Sequence, residues 1–373
     1  MVLLILTISL LFIYALLFAF YAKGWRSLPV YYPPNKQAAV FISVIIPSRN
    51  EEERLPLLLN AITSQSYPAE HFEVLVVDDY SSDSTPAVVQ SFQGQNIRLI
   101  KPVVSAALSS KKKAIEAGVM QARGELVVTT DADCYPGKDW LKTIATFYAE
   151  KDAAFIAAPV KYCPPGSPLQ IFQVLDFITL QGITGASVHL NFHDMCNGAN
   201  LAYKKSAFLQ VNGFEGIDHV ATGDDMLLMH KIRRLFPEKI FYLKSEAAIV
   251  QTPAMPGWKE FLMQRKRWAS KSLVYRDRRI IAALALVLMV NLLFIILLAA
   301  SIIEPWYLWV TAGFLVGKTI IEWPFVHRVA KFFNQQSLSL YFPLFQPLHI
   351  LYTIYTGISS QFGKYEWKGR KTK

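Results

Sequence analysis

The sequence is poor in the residues that cross-link secreted proteins. It has three cysteines in 373 residues, Cys134, Cys163 and Cys196, and their positions show no paired spacing. This pattern excludes a disulfide framework and indicates free thiols in a reducing compartment. The chain also lacks internal repeats and low-complexity segments, so its length predicts one large domain or two modest ones.

Acidic residues are in the minority. Aspartate and glutamate total 28 against 38 lysines and arginines, which gives a net charge of +10. A basic chain can bind nucleic acid, but this sequence has no groove-reading motif, and its basic residues lie beside apolar segments. Attraction to the anionic headgroups of membrane lipids explains the charge better, so no nucleic-acid partner is expected.

Long apolar runs are concentrated at the two ends of the chain. Val2 to Ala22 carries no charge, is long enough to span a bilayer, and is followed by Lys23 and Arg26. The run has no basic start and no small-residue cleavage site, which argues against a signal peptide. We interpret residues 1–22 as an uncleaved transmembrane anchor and residues 23–39 as a linker.

A second apolar region lies near the C-terminus. Residues 280–303 and 305–326 form a predicted transmembrane hairpin, whose second span carries Lys318 and Glu322. Under the positive-inside rule, the flanking basic clusters place both chain ends and the central domain in the cytoplasm. Residues 327–373 then form an interfacial or re-entrant segment and a basic cytoplasmic tail. The expected location is the inner (plasma) membrane, as a multi-pass protein.

Residues 40–279 alternate between strand-like and helix-like patterns. Short buried-strand patterns at residues 41–46, 74–77, 97–100 and 126–130 are separated by segments with helical spacing of apolar residues. This alternation predicts an α/β fold with a parallel sheet and right-handed crossovers. Ligands of such sheets bind beyond the carboxyl ends of the strands, and polar clusters follow the strands here.

One of these polar clusters suggests a metal site. Asp131 and Asp133 follow the fourth strand, and in extended backbone positions i and i+2 point to the same side. Two such carboxylates can hold one Mg²⁺ or Mn²⁺, ions that often lie between a carboxylate and a diphosphate. Solvated turn residues are the alternative, but further polar clusters after the first two strands favour a site.

The polar clusters belong to longer motifs. These are Ser43–Glu52, Val76–Thr85, Ser110–Ile115, Asp131–Asp133, Asn197–Tyr203 followed by Val211–Phe214, Thr222–Asp225, Gln264–Trp268 and Trp367–Arg370. Together the motifs resemble the family-2 glycosyltransferases of the GT-A fold, over most of residues 43–272. The resemblance implies a Rossmann-like mixed sheet flanked by helices. Tyr80 departs from the family pattern, which usually has a small residue there, and Ser110 stands where glycine is usual.

The resemblance also implies roles for individual residues. The nucleotide loops, where an aspartate typically recognises uracil, correspond to Pro47, Asn50, Glu51, Asp78 and Asp79. Lys111 matches a lysine near the donor, and Asp131 and Asp133 match the metal-binding Asp-x-Asp, with Asp131 also on the donor side. Helix capping by Asn50 and a plain turn at Asp79 are the alternatives from the residues themselves.

Thr222 to Asp225 match the acidic pair whose second member is the catalytic base of the family. The resemblance therefore implies that Asp225 removes the proton of the acceptor hydroxyl, with Asp224 as its orienter or as the second choice. The alternative is that these aspartates cap the helix beginning at Met226, because helix N-termini favour carboxylates.

Gln264, Arg267 and Trp268 match the Gln-x-x-Arg-Trp motif of membrane-bound members. Their spacing of i, i+3 and i+4 places them on one helix face, and we assign them to the donor site. Arg267 can clamp diphosphate oxygens, and Trp268 can stack near the acceptor or the sugar. A juxtamembrane helix with a basic face and an interfacial tryptophan is the alternative.

These features predict a membrane-bound inverting glycosyltransferase of the hexosyltransferase type. It would move a sugar from a nucleotide donor, expected to be a UDP-sugar, to a lipid or lipid-linked acceptor in glycolipid or cell-envelope synthesis. Two alternatives stay open. A processive polysaccharide synthase shares the motifs but usually needs more spanning helices, and an inactive membrane scaffold could bind a nucleotide-sugar without transferring it.

Overall fold

The structure, a computed structural model, describes most of the chain. The described residues are 1–34, 38–92, 94, 96–102, 110–218, 220, 223–270, 277–361, 365–367 and 370–372. They fall into two compact units. The sheet unit comprises Pro29–Cys163 and Asp194–Pro253, and the helical unit comprises Met1–Leu28, Pro164–His193 and Ala254–Lys373. Parts of the predicted domain 40–279 therefore belong with the terminal helices.

The strands are short and the terminal helices are long. The strands are β1 Ile42–Ser48, β2 Phe72–Asp78, β3 Ile97–Ile100, β4 Leu126–Thr129, β5 Tyr135–Pro136, β6 Phe155–Ala157, β7 Val160–Tyr162, β8 Leu201–Lys204, β9 Ile240–Tyr242, β10 Val250–Thr252, β11 Tyr365–Trp367 and β12 Arg370–Thr372. The α-helices are α1 Val2–Ser27, α2 Leu55–Thr63, α3 Thr85–Ser91, α4 Lys111–Gln121, α5 Trp140–Lys151, α6 Pro168–His189, α7 Lys205–Gln210, α8 Met226–Leu235, α9 Trp258–Ser270, α10 Arg278–Ile303, α11 Tyr307–Phe332 and α12 Phe342–Ser359.

The sheet unit is built on a seven-stranded mixed sheet of order β3-β2-β1-β4-β8-β6-β9. Strands β3, β2, β1 and β4 run parallel, and β8 is antiparallel to both β4 and β6. The parallel strands are covered on both faces, which is why β1, β2 and β4 are almost wholly buried apolar runs. The predicted parallel strands are confirmed, and their carboxyl ends lie along one edge.

The helical unit packs α1 against α6, α10 and α11. Helices α6 and α11 approach closely at Gly182, where a Cβ would come 2.4 Å from a methyl group of Val329. By length and apolar composition, three helices in the described residues could cross a membrane: Val2–Ser27, Pro168–His189 and Arg278–Ile303. The first and third contain predicted spans. Helix α11, the predicted second arm of the hairpin, is not among the three, and α6 is an unpredicted candidate that is mostly buried.

The C-terminal segment forms α12 and a short antiparallel pair, β11 with β12. Pro343 lies in the first turn of α12, where its missing N–H has no intrahelical partner to lose. Residues 368 and 369 of the Trp367–Arg370 motif lie outside the described residues.

Candidate active site at the strand ends

The loops after β1 and β2 are hydrogen-bonded to each other. The amide of Asn50 donates to Ser81 Oγ (3.0 Å), and Asn50 Oδ1 accepts from the amide of Ser82 (2.8 Å). The amide of Glu51 donates to Thr85 Oγ1 (2.8 Å). The two predicted nucleotide loops thus form one preordered surface, and both begin where a parallel strand ends.

The predicted nucleotide-binding acids are held tightly in these loops. Glu51, Asp78 and Asp79 are buried, and Asp78 Oδ1 accepts from the amide of Ser81 (3.1 Å). The amide of Asp79 donates to the carbonyl of Ser48 (2.8 Å), which ties the second loop to the first strand. The turn alternative is therefore observed locally, and it is compatible with the predicted binding role because each carboxylate has a second oxygen.

Two local features explain the path of the first loop. Pro47 pairs with Val77 of β2, but on its other side the ladder between β1 and β4 has already ended at Ile45 and Thr129. The missing N–H of Pro47 therefore costs no sheet hydrogen bond. Asn50 has φ of 53°, in the left-handed region that asparagine tolerates. The helix-capping alternative for Asn50 is wrong, because α2 begins at Leu55, five residues later.

Asp131 and Asp133 lie in a turn, so the prediction that extended backbone directs both side chains to the same side is wrong. Strand β4 ends at Thr129, and the amide of Cys134 donates to the carbonyl of Asp131 (3.2 Å). The rule of alternate residues on one side holds only for extended backbone. Among the described residues, no group of three or more His, Cys, Asp or Glu side chains is placed to hold a metal ion.

Both aspartates attract cationic side chains. Asp131 Oδ1 lies 2.6 Å from Lys111 Nζ, and Asp133 Oδ2 lies 3.6 Å from Arg54 Nη1. Lys111 Nζ also lies 3.0 Å from Asp224 Oδ2, so its ammonium group joins the strand-end acids to the acidic pair before α8. Burial by itself lowers the pKa of Lys111, but the carboxylates of Asp131 and Asp224 raise it above the ordinary value, and the ammonium stays charged.

Asp225 is the N-cap residue of α8. Its Oδ1 accepts from the amide of Met226 (2.7 Å), and the residue is 7% exposed. The capping alternative is therefore observed, but it is compatible with a role as base because a carboxylate has a second oxygen. Asp224 bonds Lys111 instead of capping the helix. Thr222 of the same motif lies outside the described residues.

The loop Asn197–Asn200, which begins one of the predicted motifs, lies beside this acidic cluster, and that contact was not predicted. A Cβ on Gly198 would come 3.1 Å from both Lys111 Nζ and Asp224 Oδ2, so a larger residue would require this ion pair to shift by a few tenths of an ångström. Asn200 Nδ2 donates to the carbonyls of Pro159 (2.9 Å) and Ala248 (2.8 Å), which anchors the loop. A glycine between two asparagines was the available signal.

Gln264, Arg267 and Trp268 lie on α9, as their spacing predicted. This helix belongs to the helical unit, whereas the acids described above belong to the sheet unit. Trp268 packs against Phe177 with ring centroids 5.9 Å apart, and Gln264 Oε1 accepts from Arg265 Nη1 (2.9 Å).

The most buried charge on α9 is Arg265, which the sequence reasoning missed. Its Nη2 lies 2.7 Å from Asp176 Oδ2, and its guanidinium carbon lies 4.3 Å from the ring centroid of Trp268. Tyr352 donates a further hydrogen bond to Asp176. Asp176 is the single acid in the apolar helix α6, and a lone charge in an apolar run indicates a buried partner.

Two family models match the chain. Residues 43–208 match the family model described as "Glycosyl transferase family 2", and residues 126–327, more than half of the chain, match "Glycosyl transferase family group 2". The chain belongs to the family-2 group of glycosyltransferases. The matched residues include every strand-end motif of this glycosyltransferase, together with α9 and α10.

Curated relatives match parts of this family-2 glycosyltransferase. "Glycosyltransferase AglE" of Haloferax volcanii is 26% identical over 188 residues, which are 50% of this chain and 59% of the relative. "Dolichyl-phosphate beta-glucosyltransferase" of Homo sapiens is 36% identical over 124 residues, which are 30% of this chain and 36% of the relative. The match thus spans less than two thirds of either relative.

A solved structure aligns over nearly the whole glycosyltransferase chain. It is "Mannosyltransferase PcManGT from Pyrobaculum calidifontis in complex with GDP-Man and Mn2+", with a TM-score of 0.62 and 21% sequence identity, covering 97% of this chain and 98% of the other. The likeness confirms the predicted α/β GT-A fold, with a mixed central sheet flanked by helices.

Proposed function

We propose that the protein is a membrane-bound inverting glycosyltransferase. It transfers a sugar from a nucleotide donor, a UDP-sugar, to a hydroxyl of a lipid or lipid-linked acceptor. The observation that carries this proposal is the ion-pair bridge from Asp131 through Lys111 to Asp224. The bridge connects the strand edge that holds both nucleotide loops to the residue beside Asp225.

The donor's nucleotide is assigned to the loops after β1 and β2. The base and ribose of a uridine nucleotide present N–H and O–H donors, and the carboxylates of Asp78, Asp79 and Glu51 are acceptors. The hydrogen bonds between the two loops hold these groups before ligand arrives, which reduces the ordering cost of binding. Pro47 and Asn50 set the course of the backbone between them.

Asp131 and Asp133 are assigned to Mg²⁺ or Mn²⁺. Carboxylate oxygens are the ligands that these ions prefer. Asp131 and Asp133 supply them, and each lies beside a cationic side chain, Lys111 and Arg54 respectively. When bound there, the ion offsets the negative charge on the leaving diphosphate. Gln264, Arg267 and Trp268 of α9 are proposed on the donor side from their motif.

Asp225 is proposed as the general base. As the acceptor oxygen bonds to the anomeric carbon, Asp225 takes the hydroxyl proton, and the bond between the sugar and the diphosphate breaks with its electron pair leaving on UDP. A single displacement of this kind inverts the anomeric configuration. The hydrogen bond from Met226 fixes the direction of the Asp225 carboxylate, and Asp224, held by Lys111, positions its neighbour.

A lipid acceptor and a membrane location are supported by the apolar helices. Helices α1 and α10 are long and apolar, and only a minority of their residues are buried, as in membrane spans. Basic residues at the ends of these helices favour a sheet unit on the cytoplasmic side of the inner membrane. The human relative is named for dolichyl phosphate, which is a lipid, and we infer a lipid acceptor for this chain too.

Donor and acceptor screening with the purified full chain in detergent tests the proposal. We expect release of UDP from UDP-glucose or UDP-N-acetylglucosamine that increases when a glycolipid with free hydroxyl groups is added, with one sugar added per acceptor. Turnover with GDP-mannose alone would refute the assignment of a uridine donor. Long polymer products would favour the synthase alternative, and nucleotide binding without any transfer would favour the scaffold.

A further inference from the structure

We propose that Lys111 competes with the divalent cation for Asp131, so that stable metal binding requires a nucleotide diphosphate to draw the ammonium group away. The inference rests on the proposed donor site. It adds that the metal binds stably only when the nucleotide binds with it. It makes Lys111 a positioning residue that couples the two ligands.

The ion-pair geometry supports this competition. Lys111 Nζ lies 2.6 Å from Asp131 Oδ1, so one of the two carboxylates assigned to the metal already holds a full positive charge. The same ammonium lies 3.0 Å from Asp224 Oδ2 and packs against Gly198. Lys111 is the first residue of α4, whose N-cap Ser110 accepts from the amide of Lys113 and fixes the backbone there. Movement of the ammonium therefore requires only side-chain rotation.

The adjacent lysines do not share this role. Lys112 is buried and donates to the carbonyls of Ile217 and Val220, at 2.5 and 2.7 Å. Lys113 Nζ lies 2.9 Å from Glu116 Oε2 on the surface of α4. Three consecutive lysines thus have three different sets of partners, and Lys111 is the member directed at the acidic cluster.

The electrostatic effect of Lys111 on a metal is large enough to measure. Even with the dielectric constant of water, a single positive charge about 5 Å from a divalent cation weakens its binding roughly tenfold. When a diphosphate lies beside the metal, the Lys111 ammonium can bind its anionic oxygens. The repulsion between the ammonium and the metal is then outweighed by attraction between the ammonium and the diphosphate. Lys111 should therefore weaken binding of the metal alone and strengthen binding of the metal with UDP.

Titration of Mn²⁺ into the full chain in detergent, followed by the electron paramagnetic resonance signal of free Mn²⁺, tests this inference. Without UDP, we expect Lys111→Met to bind Mn²⁺ at least about tenfold more tightly than wild type. With UDP present, the wild type should gain much more affinity for Mn²⁺ than Lys111→Met gains. Lys111→Arg keeps the positive charge and should behave as wild type.

Lys113→Met is the matched control, because it removes the same charge from the same helix without touching Asp131. Its affinity for Mn²⁺ should stay within about twofold of wild type, as expected for a distant exposed charge. The inference would be overturned if wild type and Lys111→Met bound Mn²⁺ equally tightly without UDP, or if Lys111→Met and Lys113→Met tightened Mn²⁺ binding by the same factor. Either result would leave the proposed metal site intact. If no variant binds Mn²⁺ with or without UDP, the metal site itself is wrong and the inference falls with it. Lys111→Gln, a second neutral variant, guards against misfolding of Lys111→Met and should show the same tightening.

Discussion

Replacement of Asp225 by asparagine separates its two roles, helix cap and general base. Asparagine keeps the size of the side chain and an oxygen that can accept from the amide of Met226, a bond of 2.7 Å in the wild type. Because asparagine and aspartate cap helices about equally well, the free energy of unfolding should change by less than about 1 kcal/mol. An amide cannot take the acceptor proton, so turnover should fall by roughly 10²–10⁴-fold.

The measurement combines sugar-transfer kinetics, thermal unfolding and UDP binding on the same Asp225→Asn preparation. Affinity for UDP should barely change, because the base acts on the acceptor and has no part in holding the nucleotide. A near-wild-type turnover number would refute Asp225 as the base and leave it as a cap alone.

Asp224→Asn is the paired control. Asp224 bonds Lys111 at 3.0 Å, so this change disturbs the position of the acidic cluster but leaves the cap of α8 in place. We expect a smaller loss of turnover than for Asp225→Asn. A larger loss would show that the base is Asp224 and that the order of the pair has been assigned wrongly.

Three further outcomes test other parts of the structure. Asp133→Ala should weaken UDP binding measured by calorimetry with Mn²⁺ present, and equal binding with or without a chelator would remove the metal hypothesis. Glu73 is buried, and although burial raises its pKa, hydrogen bonds from Ser43, Arg98 and Arg123 lower the pKa overall. The ionised Glu73 therefore stabilises the folded state above about pH 4.5, and this stabilisation is lost as the pH falls through the lower folded-state pKa. Urea unfolding at decreasing pH should show this loss in wild type and a flatter profile in Glu73→Gln. Arg265→Met should cost about 3–5 kcal/mol because Asp176 loses its buried guanidinium partner, and thermal unfolding of the double variant with Asp176→Leu should show most of that stability restored.

The local pattern of residues was sufficient to predict the first four strands and the helices between them. The predicted strand 97–100 matches β3, and the others differ from β1, β2 and β4 by a few residues at their ends. The reason is that buried parallel strands are continuous apolar runs, and amphipathic helices repeat every three or four residues. Both signals are carried by neighbours in the chain, so they are readable without the fold.

The motifs were equally readable, because each is contiguous. Their order from residue 43 to residue 268 indicated the GT-A fold that the comparison confirmed. The long apolar helices α1 and α10 followed from composition alone. The roles of Asp131, Asp133 and Asp225 in the reaction stay predictions.

Tertiary structure decided how the motif residues are joined. Lys111 bonds Asp131 and Asp224, which lie 20 and 113 positions further along the chain, and no periodicity links such distant residues. The backbone at Asp131 also turns where the strand pattern predicted extension, because the ladder between β1 and β4 ends at Thr129. On α9, packing against α6 buried Arg265, whereas the motif pointed to Arg267. Burial depends on which surfaces meet, and that is settled only when the chain has folded.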